Sequence, residues 1–397
     1  MEKMFQISSE RLRITPMQFF RYLNGEIDWS NRLIGISGSR GVGKTTLMLQ
    51  HIKQHFPMSK DVLYASLDDV YFTQTPLVSF AGEFFKQGGT HLFLDEVHKY
   101  PNWSQEIKNI YDNLAGLQVV FSGSSALDIH KGAYDLSRRA MVYSLPGLSF
   151  REFLTFKHNT PFQPVLLESL LQGNIQDVLP ILDTIRPIKY FPEYLKSGYY
   201  PYAAEDEPGF LSRLSNTINL TVEVDIPAVH HIDFYSIQKI RKLLSIIADI
   251  VPYKPNIEKL ARQIGTTRDS LLKYLFYLEK SEIVNWLTRD TFGINYLNKP
   301  DKLYLQNSNL MFALSRQKPN TGSIRETFFL NQLKVKHKAN YTEKGDFLID
   351  DKYYFEIGGA GKSSRQIQEI SDSYLVVDHI EYPYKNRIPL WLFGFLY

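Results

Sequence analysis

The sequence predicts an α/β chain that opens with a parallel sheet covered by helices on both faces and continues into a helical region and two smaller modules. Three observations carry that reading. Strand-length apolar runs alternate with helix-length segments through the first third of the chain. A glycine-rich junction, "GSRGVGKTT", lies between one such run and the helix after it. Beyond residue 155 the alternation gives way to helical spacing, then to a helix–glycine–helix pattern, then to an acidic hairpin-like stretch.

The strand runs are "RLIGIS", "DVLYASL", "HLFLDE", "LQVVFSGSS" and "AMVYSLPGLSF". They are nearly continuous in apolar residues, the pattern of parallel strands buried on both faces. The chain has 397 residues, 44% hydrophobic and 14% aromatic, enough for two or three cores at about 150 residues per domain. The expected divisions are a core over 1–155, a helical lid or connector over 156–234, a third segment over 235–300 and a fourth over 301–397. There is no cysteine, which removes disulfides, thiolate zinc sites and cysteine nucleophiles. The opening "MEKMFQISSERLRITPMQFF" has no apolar leader, and runs such as Leu390–Tyr397 are too short to span a bilayer. The expectation is a soluble, cytoplasmic protein with no membrane association. Net charge is +3, from 45 basic and 42 acidic residues, so no global field draws it to nucleic acid. Residues 231–300 are locally basic, with 11 basic and 7 acidic side chains.

The junction itself fits G-x-x-x-x-G-K-[ST]. Gly38, Ser39, Arg40, Gly41, Val42, Gly43, Lys44, Thr45 and Thr46 form a loop between the strand "LIGI" and a helix whose apolar face runs through Leu47, Ile52 and Phe56. Backbone N–H groups and a helix N-terminus there surround an anionic phosphate. Lys44 reaches the terminal phosphates, and Thr45 supplies a hydroxyl ligand for Mg²⁺. The fold is thereby predicted as a P-loop NTPase sheet, with ATP and Mg²⁺ as cofactors. An acid at a later strand end is then required, and "HLFLDE" supplies two. Asp95 would hold the magnesium and Glu96 would orient or deprotonate the attacking water. Ser122, Ser124 or Ser125 in "VVFSGSSALDI" could contact the terminal phosphate. Arg139, beside Arg138 in "YDLSRRAMVYSL", is the candidate arginine finger, from the same or a neighbouring subunit.

With these pieces in hand, residues 1–155 resemble the AAA+ ATPases of a bacterial and archaeal family that joins such a core to a C-terminal domain of unknown function. The matching segments are "GSRGVGKTT", "LFLDEVHKYPNW", "VVFSGSSAL", "DLSRRAMVYSLPGLSFREFL" and, later, "YLKSGYYP", "KLYLQNSNLMFAL" and "GSIRETFFLNQL". The resemblance implies Mg-ATP binding and hydrolysis through Lys44, Thr45, Asp95 and Glu96, with Ser124 near the sensor position. The family often has glycine before the arginine of its "LSGR" segment, where this chain has Arg138.

Residues 156–234 are apolar at helical spacing, and "YLKSGYYPYAAEDEPGF" reads as a loop against a surface. From Tyr235 a helix, then "NIEKLARQIG", then "TTRDSLLKYLFYLEKSEIV" read as a winged helix. Gly265 closes one helix, and Thr267 or Asp269 starts the next. A DNA-binding version would use residues 254–289, with Thr266, Thr267, Arg268 and Lys273 facing phosphates and bases. The competing use is packing or contact with a protein client. Finally, "YTEKGDFLIDDKYYFEIGGAGKSS" looks like the core of a restriction-type nuclease. Asp346 and Glu356 would lie on adjacent hairpin strands and Glu326 on the preceding helix, but Gly358 stands where the usual E-x-K lysine belongs. Lys362 is the available substitute, and a degenerate module is the expectation. The whole reads as an Mg-dependent ATPase coupled to a C-terminal module. The alternatives are a nucleotide-dependent switch or scaffold with little turnover, and an ATP-regulated nuclease.

Overall fold

A computed structural model describes residues 1–57, 59–123, 136, 138–227, 232–289, 299–363 and 367–397. These residues form two compact units, Met1–Gly147 and Leu148–Tyr397. The second unit takes in together the three later segments expected from sequence.

In the first unit, strands β1 (Leu33–Ser37), β2 (Val62–Ser66), β3 (His91–Asp95), β4 (Gln118–Gly123) and β5 (Met141–Ser144) make one sheet in the order β2-β3-β4-β1-β5. Every pairing is parallel. The three inner strands β3, β4 and β1, and the edge strand β2, are almost wholly buried, as their unbroken apolar runs require. β5 is an edge and exposes Met141 and Val142. β4 lies between the strand that enters the glycine loop and the strand that ends in the two acids. Its register sets Ser122 beside Ile36 of β1 and one place beyond the Leu94–Phe121 pair of β3. Strand order reverses at β1, where ligands of open α/β sheets gather beyond the carboxyl ends.

Helices α1 (Glu2–Ile14), α2 (Lys44–His55), α3 (Leu77–Lys86) and α4 (Trp103–Asn113) cover the sheet. α3 turns Leu77, Phe80, Ala81 and Phe84 inward, and α4 adds Trp103, Ile107 and Ile110 to the same core. Phe80 and Phe84 are fully buried, each contributing about 1.5–3 kcal/mol of transfer free energy. α1 joins this core through Met4 and accepts the Tyr64 amide on Ser8 Oγ at 3.2 Å.

The second unit begins with a helix at Phe150–His158, closed by a capping box between Ser149 and Glu152. The stretch "YLKSGYYPYAAE", read as a loop, is instead helical: a π turn at Tyr194–Gly198 and a 3₁₀ turn at Pro201–Glu205. The reason is burial. Tyr194, Tyr199 and Tyr200 are enclosed, and Asn309 Nδ2 donates to the carbonyls of Tyr194 and Leu195 while its Oδ1 accepts from Tyr199 N. Helices Phe234–Ile250, Ile257–Ile264 and Arg268–Lys280 follow, then antiparallel β6 (Val284–Leu287) and β7 (Lys302–Leu305). Gly265 ends its helix in the left-handed region, and Thr267 caps the next through Ser270 N.

A helix at Thr321–Leu333 leads to the last sheet, ordered β12-β11-β10-β9-β8, with β8 (Ala339–Asn340), β9 (Phe347–Ile349), β10 (Tyr353–Gly358), β11 (Ser373–Val377) and β12 (Arg387–Pro389). β8, β9 and β10 are antiparallel, whereas β10, β11 and β12 run parallel. Within the closing stretch "RIPLWLFGFLY", only Arg387–Pro389 pairs as a strand. Leu390–Phe395 coils into a buried 3₁₀ turn. Among the described residues, no helix is long and apolar enough to cross a membrane.

Candidate active site

The glycine loop leaves β1 and enters α2 at Lys44. Gly38, Gly41 and Gly43 have φ of 152°, 81° and 100°, conformations that a side chain resists. Gly38 is also enclosed, since a Cβ there would lie 2.3 Å from the Leu145 carbonyl oxygen. Among the described residues, the N–H groups of Gly41, Val42 and Gly43 make no hydrogen bond within the chain. They sit at the N-terminus of α2, where aligned peptide dipoles favour an anion. Lys44 is buried, and its Nζ donates to the carbonyls of Gly38 at 2.8 Å and Ser39 at 2.9 Å. The ammonium is therefore held over the concave side of the loop.

Asp95 ends β3 with only 2% of its surface exposed. Its carboxylate accepts from Thr45 Oγ1 at 2.6 Å, Tyr64 OH at 2.9 Å, the Glu96 amide at 3.1 Å and Ser122 Oγ. These donors fix the carboxylate and compensate its desolvation. Burial and the Asp95 charge raise the Tyr64 phenol, keeping it a donor. Glu96 follows in a left-handed backbone conformation, φ 52°. Such strain in a non-glycine residue is of the kind that clusters at functional sites. Burial pushes the Glu96 carboxyl above the ordinary range, Asp95 adds to the shift, and Lys44 and Arg40 oppose it. His98 Nε2 lies 3.4 Å from Glu96 Oε2. Thr45 and Asp95 offer hard oxygen donors side by side, the donor set that suits Mg²⁺.

The structure thus brings Gly38, Lys44, Thr45, Asp95 and Glu96 to one end of the sheet. Ser122, one of three serines considered for the phosphate, is fully buried and serves Asp95 instead. Ser124 and Ser125 lie outside the described residues. Arg139 Nε and Nη2 donate to the Asp112 carboxylate of α4 at 2.9 and 3.0 Å, while Arg138 is exposed. Tyr64, His98 and Arg21 were missed from the sequence. His98 follows the acid pair by two places and carried a readable signal. Tyr64 and Arg21 lie in no motif.

In the second unit, Glu326 Oε2 accepts from Lys302 Nζ at 2.7 Å and Tyr304 OH at 2.9 Å. Asp346 precedes β9 and accepts the Ile357 amide at 2.9 Å. Glu356 in β10 pairs with Lys362 Nζ at 2.5 Å. Burial raises Glu356, an effect opposed by the Lys362 hydrogen bond, and burial with Asp346 raises Glu326. A Cβ on Gly358 would lie 2.4 Å from Lys362 Cβ, so the lysine stem occupies the space over that glycine. Arg262, Arg268 and Lys273 are exposed on their helices.

A family profile described as "AAA domain" matches residues 30–154, and one described as "Domain of unknown function (DUF8612)" matches residues 188–321. "Uncharacterized protein MJ1637" of Methanocaldococcus jannaschii is 26% identical over 268 residues, covering 64% of this chain and 56% of that protein. The chain therefore spans about half the length of this curated relative. Solved structures with similarity include AMPPCP-bound DnaA from Aquifex aeolicus, 14% identical with a TM-score of 0.25, covering 69% of this chain and 86% of that one. The S. cerevisiae Hsp104-ADP complex is 18% identical with a TM-score of 0.25, covering 69% of this chain and 39% of that one. The fold of the first unit rests on its strand order and register. Residues 30–154 are similar in sequence to AAA domains, and the first unit, which holds all but the last seven of them, has the parallel five-stranded sheet and flanking helices of a P-loop NTPase.

Proposed function

We propose that the first unit binds ATP with Mg²⁺ and hydrolyses it. The observation that carries the reading is the convergence of the Gly41–Gly43 amides, Lys44 and the Thr45–Asp95 pair beside a carboxyl, Glu96, that burial has made more basic. The loop amides and Lys44 would hold the phosphate oxygens, and the Thr45 hydroxyl and Asp95 carboxylate would hold the magnesium. The bound ion would neutralise charge developing on the phosphate oxygens. Glu96 would take a proton from the attacking water, a task suited to a raised carboxyl pKa. An arginine of the Arg138–Arg139 pair would reach the terminal phosphate of a neighbouring copy. Arg139 is already engaged by Asp112, and Arg138 is the more accessible of the two.

The test is phosphate release from Mg-ATP by the native chain and by Glu96→Gln, with and without duplex or single-stranded DNA. Turnover that vanishes in the variant supports the reading. Stimulation by DNA would support contact through residues 254–289, where Arg262, Arg268 and Lys273 are exposed. Indifference to DNA directs the search to a protein client. Tight nucleotide binding without release favours the switch or scaffold.

One observation favours a second activity. Lys362 lies over Gly358 and meets Glu356, so an ammonium stands beside the Asp346–Glu356 hairpin despite the missing E-x-K lysine. Among the described residues no group of three or more His, Asp or Glu side chains is suited to a metal ion, so a cation here would rest on Asp346 and Glu356. Mg²⁺-dependent nicking of plasmid DNA, abolished by Asp346→Ala, would support a nuclease. Its absence in the native chain leaves the degenerate module.

A further inference from the structure

Arg21 belongs to no motif, yet it is only 5% exposed and its guanidinium spans two parts of the first unit. Nη1 donates to the Val42 carbonyl in the glycine loop, and Nη2 donates to the carbonyls of Pro146 at 2.7 Å and Gly147 at 2.9 Å. The segment before it is anchored on α2, where the buried Gln50 Nε2 donates to the carbonyls of Pro16 and Phe19, both at 2.8 Å. A planar trans peptide points its C=O and the following N–H in opposite directions. Holding the Val42 carbonyl on Arg21 therefore turns the Gly43 N–H away from the guanidinium, towards the loop concavity. The other end of the loop meets the same exit segment, because Leu145 N donates to Ser37 O at 2.8 Å and the Leu145 carbonyl closes over Gly38.

We propose that Arg21 is a positioning residue for the phosphate loop: it presets the Val42–Gly43 amide for an anionic phosphate and ties that peptide to Pro146–Gly147, where the first unit ends. Occupancy of the loop is thereby felt along the chain that leads into the second unit. The inference rests on the nucleotide reading above. Lysine does not replace the residue, since one ammonium lacks the planar fork that reaches carbonyls on two separate segments.

The experiment uses the full chain and Mg-ADP as probe, with affinity by calorimetry and peptide-resolved hydrogen exchange over residues 38–47 and 141–150. In the native chain ADP is expected to protect both regions. Arg21→Gln is expected to bind ADP about 10- to 100-fold more weakly, the scale of a lost charged hydrogen bond. At saturating ADP its 38–47 peptides gain protection while the 141–150 peptides no longer respond. A merely structural role would not separate those two responses. Should Arg21→Gln fail to fold, Arg21→Lys is measured in its place, with the same separation expected. A folded variant that binds ADP as the native chain does, or whose 141–150 peptides still respond, overturns the inference and leaves the nucleotide reading standing. A folded native chain that binds no ADP overturns both.

Discussion

Replacing Gly38 with alanine perturbs the loop at the point where it has least room. The new Cβ would lie 2.3 Å from the Leu145 carbonyl oxygen and 3.2 Å from Val42 Cγ2, whereas contacts under 3.0 Å are essentially never seen. Neither side yields freely. Ser37 pairs with Ser144 in the β1–β5 ladder, and Leu145 N is bonded to Ser37 O at 2.8 Å. Relief requires the loop or the exit segment to move by at least the difference between those distances. The backbone at φ 152° adds strain for any side chain. Together these cost about 2–4 kcal/mol, and displacement of the loop amides weakens ADP binding by at least about tenfold. Urea-dependent hydrogen exchange of β1 and β4 peptides measures the stability of this unit, and calorimetry measures ADP affinity. Gly82→Ala is the paired control. Its Cβ meets nothing within 4 Å, and alanine within a helix is favoured over glycine by about 0.5–1 kcal/mol. If Gly38→Ala behaves like Gly82→Ala, the steric reasoning about the loop fails.

Further outcomes follow from the same geometry. Glu96→Gln is expected to lower turnover by about 10²–10⁴-fold while retaining ADP affinity in a binding assay. Because burial raises the Glu96 carboxyl, the base is lost by protonation at a higher pH than for an ordinary glutamate, and the acid limb of the pH–rate profile is displaced upward accordingly. His51 stacks on Trp29 at 3.6 Å and is pushed down to about 3, chiefly by burial. The unfolded chain protonates it near 6.5. This contribution is therefore fully present above that value and is lost progressively as pH falls towards 3. His51→Gln should flatten that part of the stability profile, read by thermal unfolding against pH. Arg139→Ala breaks an exposed ion pair with Asp112, so stability changes little. Arg138→Ala should give the larger loss of turnover, with ADP affinity unchanged in both variants. The reverse ranking would assign the finger to Arg139.

The first unit was legible because its signals are local. Unbroken apolar runs announce buried parallel strands, and the spacing from Gly38 to Thr45 encodes a turn, an anion site and a helix start within one stretch. Asp95 and Glu96 were legible for the same reason, as acids closing a buried run. What surrounds them was not. Tyr64 looks like any strand aromatic until the β2–β3 register brings its hydroxyl to Asp95. Arg21 has its partners as far away as Gly147, and no periodicity reports such a contact. In the second unit, "YLKSGYYPYAAE" has the glycine, proline and aromatics of a loop, yet burial of its tyrosines and the carboxamide of Asn309 draw it into helical turns. The substitute for the missing lysine was visible only as a residue nearby in sequence, and its position over Gly358 is a property of the folded loop.

The strand order has a consequence for how the chain comes to be folded. β1 is the first strand made, yet its neighbours in the sheet are β4 and β5, so Leu33 waits for Val119 and Ile34 for Met141. On the ribosome, β2, β3 and β4 can pair among themselves as they emerge, while β1 stays open on both edges until residue 123 has been synthesised and on its β5 edge until residue 144. An apolar strand left unpaired that long is slow to close and prone to non-native pairing. The glycine loop takes its final shape only after Leu145 arrives, so binding competence is a late event in the life of the nascent chain.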